Sequence, residues 1–294
     1  MAAHANNSPR RSAKKNPWTM LPVAAVCGVL VAACMVVGDP ALFAAKDAVA
    51  PDASPVENGA GANPSVSEPD NGLSLVGSYQ SISQSEHADR AENIRLATEA
   101  IDGVIIPPGE TFSFNEAVGD VSEESGYLMA PIVADGATID GVGGGICQVS
   151  TTLYIAALKA DLEIVERHAH SLASDYAPIG LDATIVTGLM DLKIKNDTEV
   201  PVRISAHALG QTVSIEVYGQ PLPEGESVDA TAKIVDRYDE ATDVGTETYY
   251  VAESYRVYYQ DGVKTHSVLL STDTYLVPKE SVVMLAEGGV SPTK

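Results

Sequence analysis

The sequence predicts an α+β fold over roughly its last 220 residues: a cysteine-bearing helix packed on antiparallel strands, followed by a small all-β module. Three observations carry this. Apolar residues recur at helical intervals in two segments, Ala91-Ile94-Ala97-Ile101 and Val149-Leu153-Ala156-Ala157. Apolar and polar residues alternate through Leu192 to Asn196, Val202 to Ala206 and Val213 to Tyr218, which marks strands joined by short connections. From Pro221 onward the pattern is strand-like throughout.

In chain order, the first helix spans His87 to Asp102, and Gly103 ends it, as glycine commonly does past a helix C-terminus. Val104-Ile105-Ile106 is a short strand before the turn Pro107-Pro108-Gly109. The second helix begins at a glycine run and carries Cys147 near its start. Leu162 to Val165 reads as a short buried strand, and the three alternating strands close the first domain at residue 220. In the module over 221–294, Thr248 to Val251 and Tyr255 to Tyr259 flank a polar stretch, and Asp261-Gly262 is a hairpin turn before Lys264 to Leu270. Seven of the 12 tyrosines lie there, at 238, 249, 250, 255, 258, 259 and 275. Tyrosines can stack on sugars, but they also suit a half-exposed sheet, and the second reading is preferred.

The N-terminus predicts a compartment. Arg10, Arg11, Lys14 and Lys15 form a basic tail over 1–15, and residues 16–38 carry no charge. At 1.5 Å per residue such a run spans the ~30 Å bilayer core, and the basic flank keeps the N-terminus cytoplasmic. A cleaved signal near Ala44-Ala45 and a lipoprotein box at Val31-Ala32-Ala33-Cys34 are the competing readings. All three place the rest of the chain outside the cytoplasm. Residues 39–72, rich in Pro, Ala, Gly, Ser and Asn, read as a flexible linker. The chain carries 18 basic and 40 acidic residues; without the four in the tail, 14 stand against 40, a net of −26 for residues 39–294. That charge excludes nucleic acid as a partner, because phosphate binding needs basic patches.

The chemistry concentrates in residues 143–182. Cys147 follows Gly143, Gly144 and Gly145 at a helix start, where free N–H groups and the helix dipole favour a thiolate. The amides of Ile146, Cys147 and Gln148 are candidate oxyanion donors. His170 or His168 is the candidate base and Asp182 the orienting carboxylate. Gly143, Gly144, Gly145 and Gln148 are the candidate binding residues. The alternative is a small buried cysteine beside a tight turn. Two of the three cysteines, Cys27 and Cys34, lie in the anchor, so Cys147 has no partner in the exported part. No cofactor is expected: Ile146 stands where a dinucleotide fingerprint needs its last glycine, and no Walker lysine follows. A metal site from Cys147, His168 and His170 with Asp182 or Asp191 has no close paired-ligand spacing other than His168-x-His170, so no metal is expected.

These blocks resemble a known family. Arg90 to Ile94, Pro108 to Asn115, Val118-Gly119, Gly126-Tyr127, Gly143 to Tyr154, Ile164 to His168, His170-Ser171, Tyr176-Ala177-Pro178, Gly180 to Thr184 and Asp191 to Asn196 are similar, in order, to the VanW domain. The resemblance covers Arg90 to about Gly219 and implies a cell-envelope setting associated with vancomycin resistance. The order Cys, His, Asp more faintly resembles transglutaminase-like and papain-like thiol enzymes. The tail lacks a clear copy of the G5 module that accompanies some VanW-like proteins.

Two functions of different class follow. One is a membrane-tethered wall-binding or accessory module acting on cell-wall peptidoglycan, with the membrane held through the N-terminal helix. The other is a cysteine-dependent acyl-transfer enzyme (amidase, peptidase or transglutaminase-like) acting on cell-wall peptides. On sequence alone the first is preferred, because unreactive cysteines are the commoner case.

Overall fold

A computed structural model describes residues 72–134, 137–243, 245–277, 282–284 and 290–292. The expected basic tail, anchor and nearly all of the linker lie outside the described residues, among which no helix is long and apolar enough to cross a membrane. The elements run β1 (Ser74–Ile82), α1 (Ala88–Ile101), β2 (Ile105–Ile106), β3 (Thr111–Ser113), α2 (Phe114–Val118), β4 (Met129–Ala134), β5 (Ala137–Val142) and α3 (Ile146–Lys159). They continue with β6 (Glu163–Glu166), β7 (Lys193–Lys195), β8 (Val202–Leu209), β9 (Thr212–Gly219), β10 (Glu226–Thr242), β11 (Gly245–Gln260) and β12 (Val263–Val277), then the short pair β13 (Val282–Met284) and β14 (Val290–Pro292). The class is α+β, with every strand pair between these elements antiparallel.

Helix α3 is the centre of the molecule. It lies against the four-stranded sheet β1-β9-β8-β2 and against α1, so its apolar side chains meet Ile94, Ile101, Ile204, Ile215 and Val217 in one core. The sequence suggests one buried face, but the helix is buried almost all round, polar positions included. Its hydroxyls are satisfied internally, as buried polar groups usually are, while Gln148 Oε1 is buried without a partner. Thr152 Oγ1 donates to Gln148 O at 2.6 Å and lies 2.7 Å from Ser81 Oγ, while Ser150 Oγ donates to Ala183 O at 2.7 Å.

The close approach of β1 to α3 depends on Gly77. A Cβ there would sit 2.3 Å from Ala156 O and 2.6 Å from Ala160 N, which are backbone atoms that cannot swing away. Gly77→Ala is therefore expected to destabilise the fold by about 3 kcal/mol, read by urea denaturation, since the strand must be pushed off the helix. A change below a few tenths would mean that the two elements slide freely.

Two expectations change. Leu162 to Val165 reads as a buried strand, yet in β6 Glu163 and Val165 face solvent and only Leu162, before the strand, is fully buried. The strand pairs with β7 alone, so one face stays wet. The polar stretch between Val251 and Tyr255 does not interrupt a strand: β11 runs through it, with Ser254 buried and bonded to Ser271 Oγ at 2.8 Å. Asp261 (φ 52°) and Gly262 (φ 76°) do form the hairpin turn into β12.

The three-stranded sheet β10-β11-β12 shares its packing with the preceding residues. Ala232 belongs to the main core, and Ile179 packs with Tyr250, Ala252, Tyr275 and Val277 in a second one. Leu276 N donates to Ser171 O at 2.8 Å, and Tyr258 OH to Asp161 at 2.8 Å. Other tyrosines are used within the sheet: Tyr238 stacks on Tyr249 across β10 and β11, and Tyr249 OH reaches Glu247.

Candidate active site

The glycine run before α3 is required by geometry. Gly143 and Gly145 have φ of 83° and 108°, in the left-handed region that other residues avoid. A Cβ on Gly144 would lie 2.6 Å from Pro131 O. The run thus folds tightly over β4 and releases the chain into α3 with Cys147 as its second residue. The helix dipole there favours a thiolate. Cys147 is partly accessible, with Sγ 3.7 Å from Thr184 Oγ1 and 3.8 Å from Ile185 O. The amides of Ile146 and Gln148 are occupied by Gly143 O and Gly145 O. Of the three proposed oxyanion donors, the Cys147 N–H alone has no backbone acceptor among the described residues.

The helix also fixes its partners. Ser150 and Thr151 grip the backbone of Ala183: Thr151 Oγ1 accepts from Ala183 N at 3.0 Å, and both hydroxyls donate to Ala183 O. Asp182 and Thr184 are held on either side of this clamp. Thr184 N donates to His168 O at 2.8 Å, which lays residues 168–170 antiparallel to 182–184. His170 then meets Asp182 twice, through its backbone N–H at 2.7 Å and its ring Nδ1 at 2.5 Å, both to Oδ2. The other oxygen, Oδ1, accepts from Arg167 Nη2 at 3.0 Å and from Tyr275 OH at 2.6 Å. Asp182 is 2 % exposed, and both its oxygens are doubly bonded.

This network sets the charges. Burial alone pushes a carboxyl up, but His170, Arg167 and Tyr275 hold Asp182 at about 2. Burial pushes His170 down, yet hydrogen bonds and charge from Asp182 and Cys147 raise it to about 10. Burial raises the Cys147 thiol, and the hydrogen bond and charge of His170 more than offset that, leaving its pKa below the usual thiol value. The two shifts together favour a thiolate beside an imidazolium. Arg167 also bonds Asp273, Ser271 Oγ and Asp182 O, and its guanidinium lies 5.5 Å from the Tyr154 ring centroid.

Cys147 and His170 open on a cavity of about 620 Å³, walled by the β4–β5 hairpin on one side and Leu172 to Tyr176 on another. Tyr176, fully packed, meets His170 edge-on with ring centroids 6.5 Å apart. Gly143, Gly145 and Gln148 line this cavity; Gly144 does not. Gln148 is committed to structure, its Nε2 donating to Ser81 Oγ and Gln211 O. His168 goes elsewhere. Its Nε2 lies 3.0 Å from Glu166 on a separate cavity. Asp191 is distant too, accepting from Ser113 Oγ and the amides of Asn115 and Leu192. Among the described residues no His, Cys, Asp or Glu group is arranged to hold a metal ion. Sequence reading missed Arg90, Arg167, Tyr176 and Tyr275 as site residues; their polar and mixed sequence surroundings give no local signal.

The family model described as "VanW like protein" matches residues 89–218. Over 143 residues the chain is 41% identical to the uncharacterised protein YoaR of Bacillus subtilis (strain 168), covering 49% of this chain and 47% of that one. Over 137 residues it is 33% identical to the vancomycin B-type resistance protein VanW of Enterococcus faecalis (strain ATCC 700802 / V583), covering 45% and 50%. The match spans about half the length of these relatives. No solved structure matches the chain.

Proposed function

The chain belongs to the VanW-like family through residues 89–218, and from that premise we propose that it is a thiol-dependent acyl-transfer enzyme of the bacterial cell envelope. The observation that carries the proposal is the convergence of Cys147 and His170, from a helix start and an extended segment, onto one cavity, with the buried Asp182 holding His170 from behind. A non-catalytic wall-binding module would not need this. Buried ion networks rarely add net stability over apolar packing, so a structural role does not account for it. The uncharged run over 16–38 and the linker after it support tethering to the membrane, with the domain reaching cell-wall peptides outside.

The chemistry follows from the charges. The Cys147 thiolate attacks an amide carbonyl, forming an S–C bond, and the oxyanion is met by the Cys147 N–H. As the C–N bond breaks, His170 Nε2 gives its proton to the leaving amine; Asp182 holds the ring through Nδ1. Water or a second amine then attacks the thioester, passing a proton back to His170 and restoring the thiolate. Water gives hydrolysis, and an amine gives a new amide.

The test is intact-mass spectrometry of the full-length protein after incubation with peptidoglycan fragments. The expected result is a thioester adduct on Cys147 with release of an amine, absent from Cys147→Ala. Equal turnover of the fragments by wild type and Cys147→Ala would sink the proposal.

A further inference from the structure

Arg90 is a charged residue that the mechanism leaves unused. It sits on α1, is 6 % exposed, and lines the same cavity as Cys147. Its guanidinium lies 5.9 Å from the Tyr176 ring centroid and donates from Nη1 to Gln211 Oε1. Among the described residues no carboxylate oxygen lies within 4 Å of it, and the Asp175 charge acts on it only from further off. Asp175, the acidic residue of the lining, is instead occupied by Ser83 Oγ and the Gln84 amide at about 3 Å. The remaining Arg90 donors are not sealed in protein, so they are left for the cavity.

A buried cation without an anionic partner is costly. The contrast with Arg167 in the same molecule is direct: that guanidinium is equally buried and has two carboxylates. An arginine presents a planar fork that fits a carboxylate with two parallel hydrogen bonds. A ring beneath it keeps the fork edge-on to the ligand.

Resting on the thiol reading above, we propose that Arg90 is the carboxylate-recognition residue of the Cys147 cavity, and that the acyl substrate is a peptide carrying a free carboxylate close to the amide that is cleaved. The apolar part of the lining, with Val121, Ile132, Val142 and Ile146, takes the small side chains beside it. The site is thereby selective for chain ends over the interior of a polymer.

Two alkylating agents of nearly one shape, iodoacetate and iodoacetamide, read this directly. Each forms an S–C bond to Cys147 as iodide leaves, and only the first brings a carboxylate. In the full-length protein, with label quantified on the Cys147 peptide, the iodoacetate-to-iodoacetamide rate ratio is expected to fall about tenfold in Arg90→Gln, with Arg90→Lys intermediate. Asp175→Asn, at a half-exposed site where folding is not at stake, is expected to raise the ratio. An unchanged ratio in folded Arg90→Gln overturns the carboxylate role, and so does equal calorimetric binding of N-acetylalanine and N-acetylalaninamide to the wild type. That second measurement needs neither a variant nor a reactive thiol. Slow labelling of the wild type by both reagents would instead count against the thiol reading itself.

Discussion

Replacing His170 with alanine slows alkylation of Cys147 at pH 6 by about 10- to 100-fold. A thiol of ordinary pKa near 8.5 is only ~0.3% ionised at that pH, whereas the imidazolium of His170 lowers the Cys147 pKa and enlarges that fraction. A thiolate of lower pKa is also a weaker nucleophile, which offsets part of the gain from ionisation. The pH profile separates the two contributions. In His170→Ala the rate climbs through the ordinary thiol range, while in the wild type the climb is shifted to lower pH. Acyl transfer behaves differently, because its leaving amine needs the proton on His170; turnover falls as pH rises through about 10. Matching alkylation profiles in the two proteins would show that His170 does not activate the thiol.

Asp182→Ala has the largest expected effect on stability, a loss of about 3–5 kcal/mol by urea denaturation at pH 6. The change strands His170 and Arg167 without their shared carboxylate, in a region where each is nearly sealed from water. Depression of Asp182 from about 3.8 to about 2 corresponds by itself to roughly 2–3 kcal/mol, so the deletion figure includes the stranded partners. The sign with pH follows from the two shifts. Asp182 is depressed, so its contribution is present above about 4 and is lost as pH falls toward about 2. His170 is raised, so its contribution is complete below about 6.5 and is lost as pH climbs through about 10. The wild type should lose stability at both ends, and Asp182→Ala should show a flatter curve. A loss under 1 kcal/mol would mean that water reaches the site and screens the network.

Strongly periodic segments were legible in the sequence, and so was much of the chemistry. The α1 helix, the strands β7, β8 and β9, and the Asp261-Gly262 hairpin follow from apolar spacing and turn residues, which are local signals. The Gly-rich entry to α3 was legible because positive φ needs glycine there. What escaped depends on distant partners. β1 is read only through its pairing with β9, more than 130 residues away, and its Ser and Gly positions carry no apolar alternation. The β4–β5 hairpin exposes Met129, Val133 and Ile139, so no alternating pattern announces it. Choosing between His168 and His170 needed the antiparallel pairing with residues 182–184, and spacing alone treats them alike. Arg167 and Tyr275 could not be assigned without knowing that β12 returns beside residues 171–173.

The hydroxyl of Tyr275 and the carboxylate of Asp273 come from beyond residue 218, where the family match ends. The unit recognisable by descent and the unit that completes the charge balance at Asp182 are therefore different lengths of chain. Moving residues 89–218 alone into another protein would carry over the thiol, the imidazole and the carboxylate while leaving part of their electrostatic support behind. Any host would have to provide a phenol at the same place, or accept an Asp182 whose proton affinity has drifted upward, and an acid to hold Arg167. Portability of this chemistry is thus limited by a strand that carries none of it.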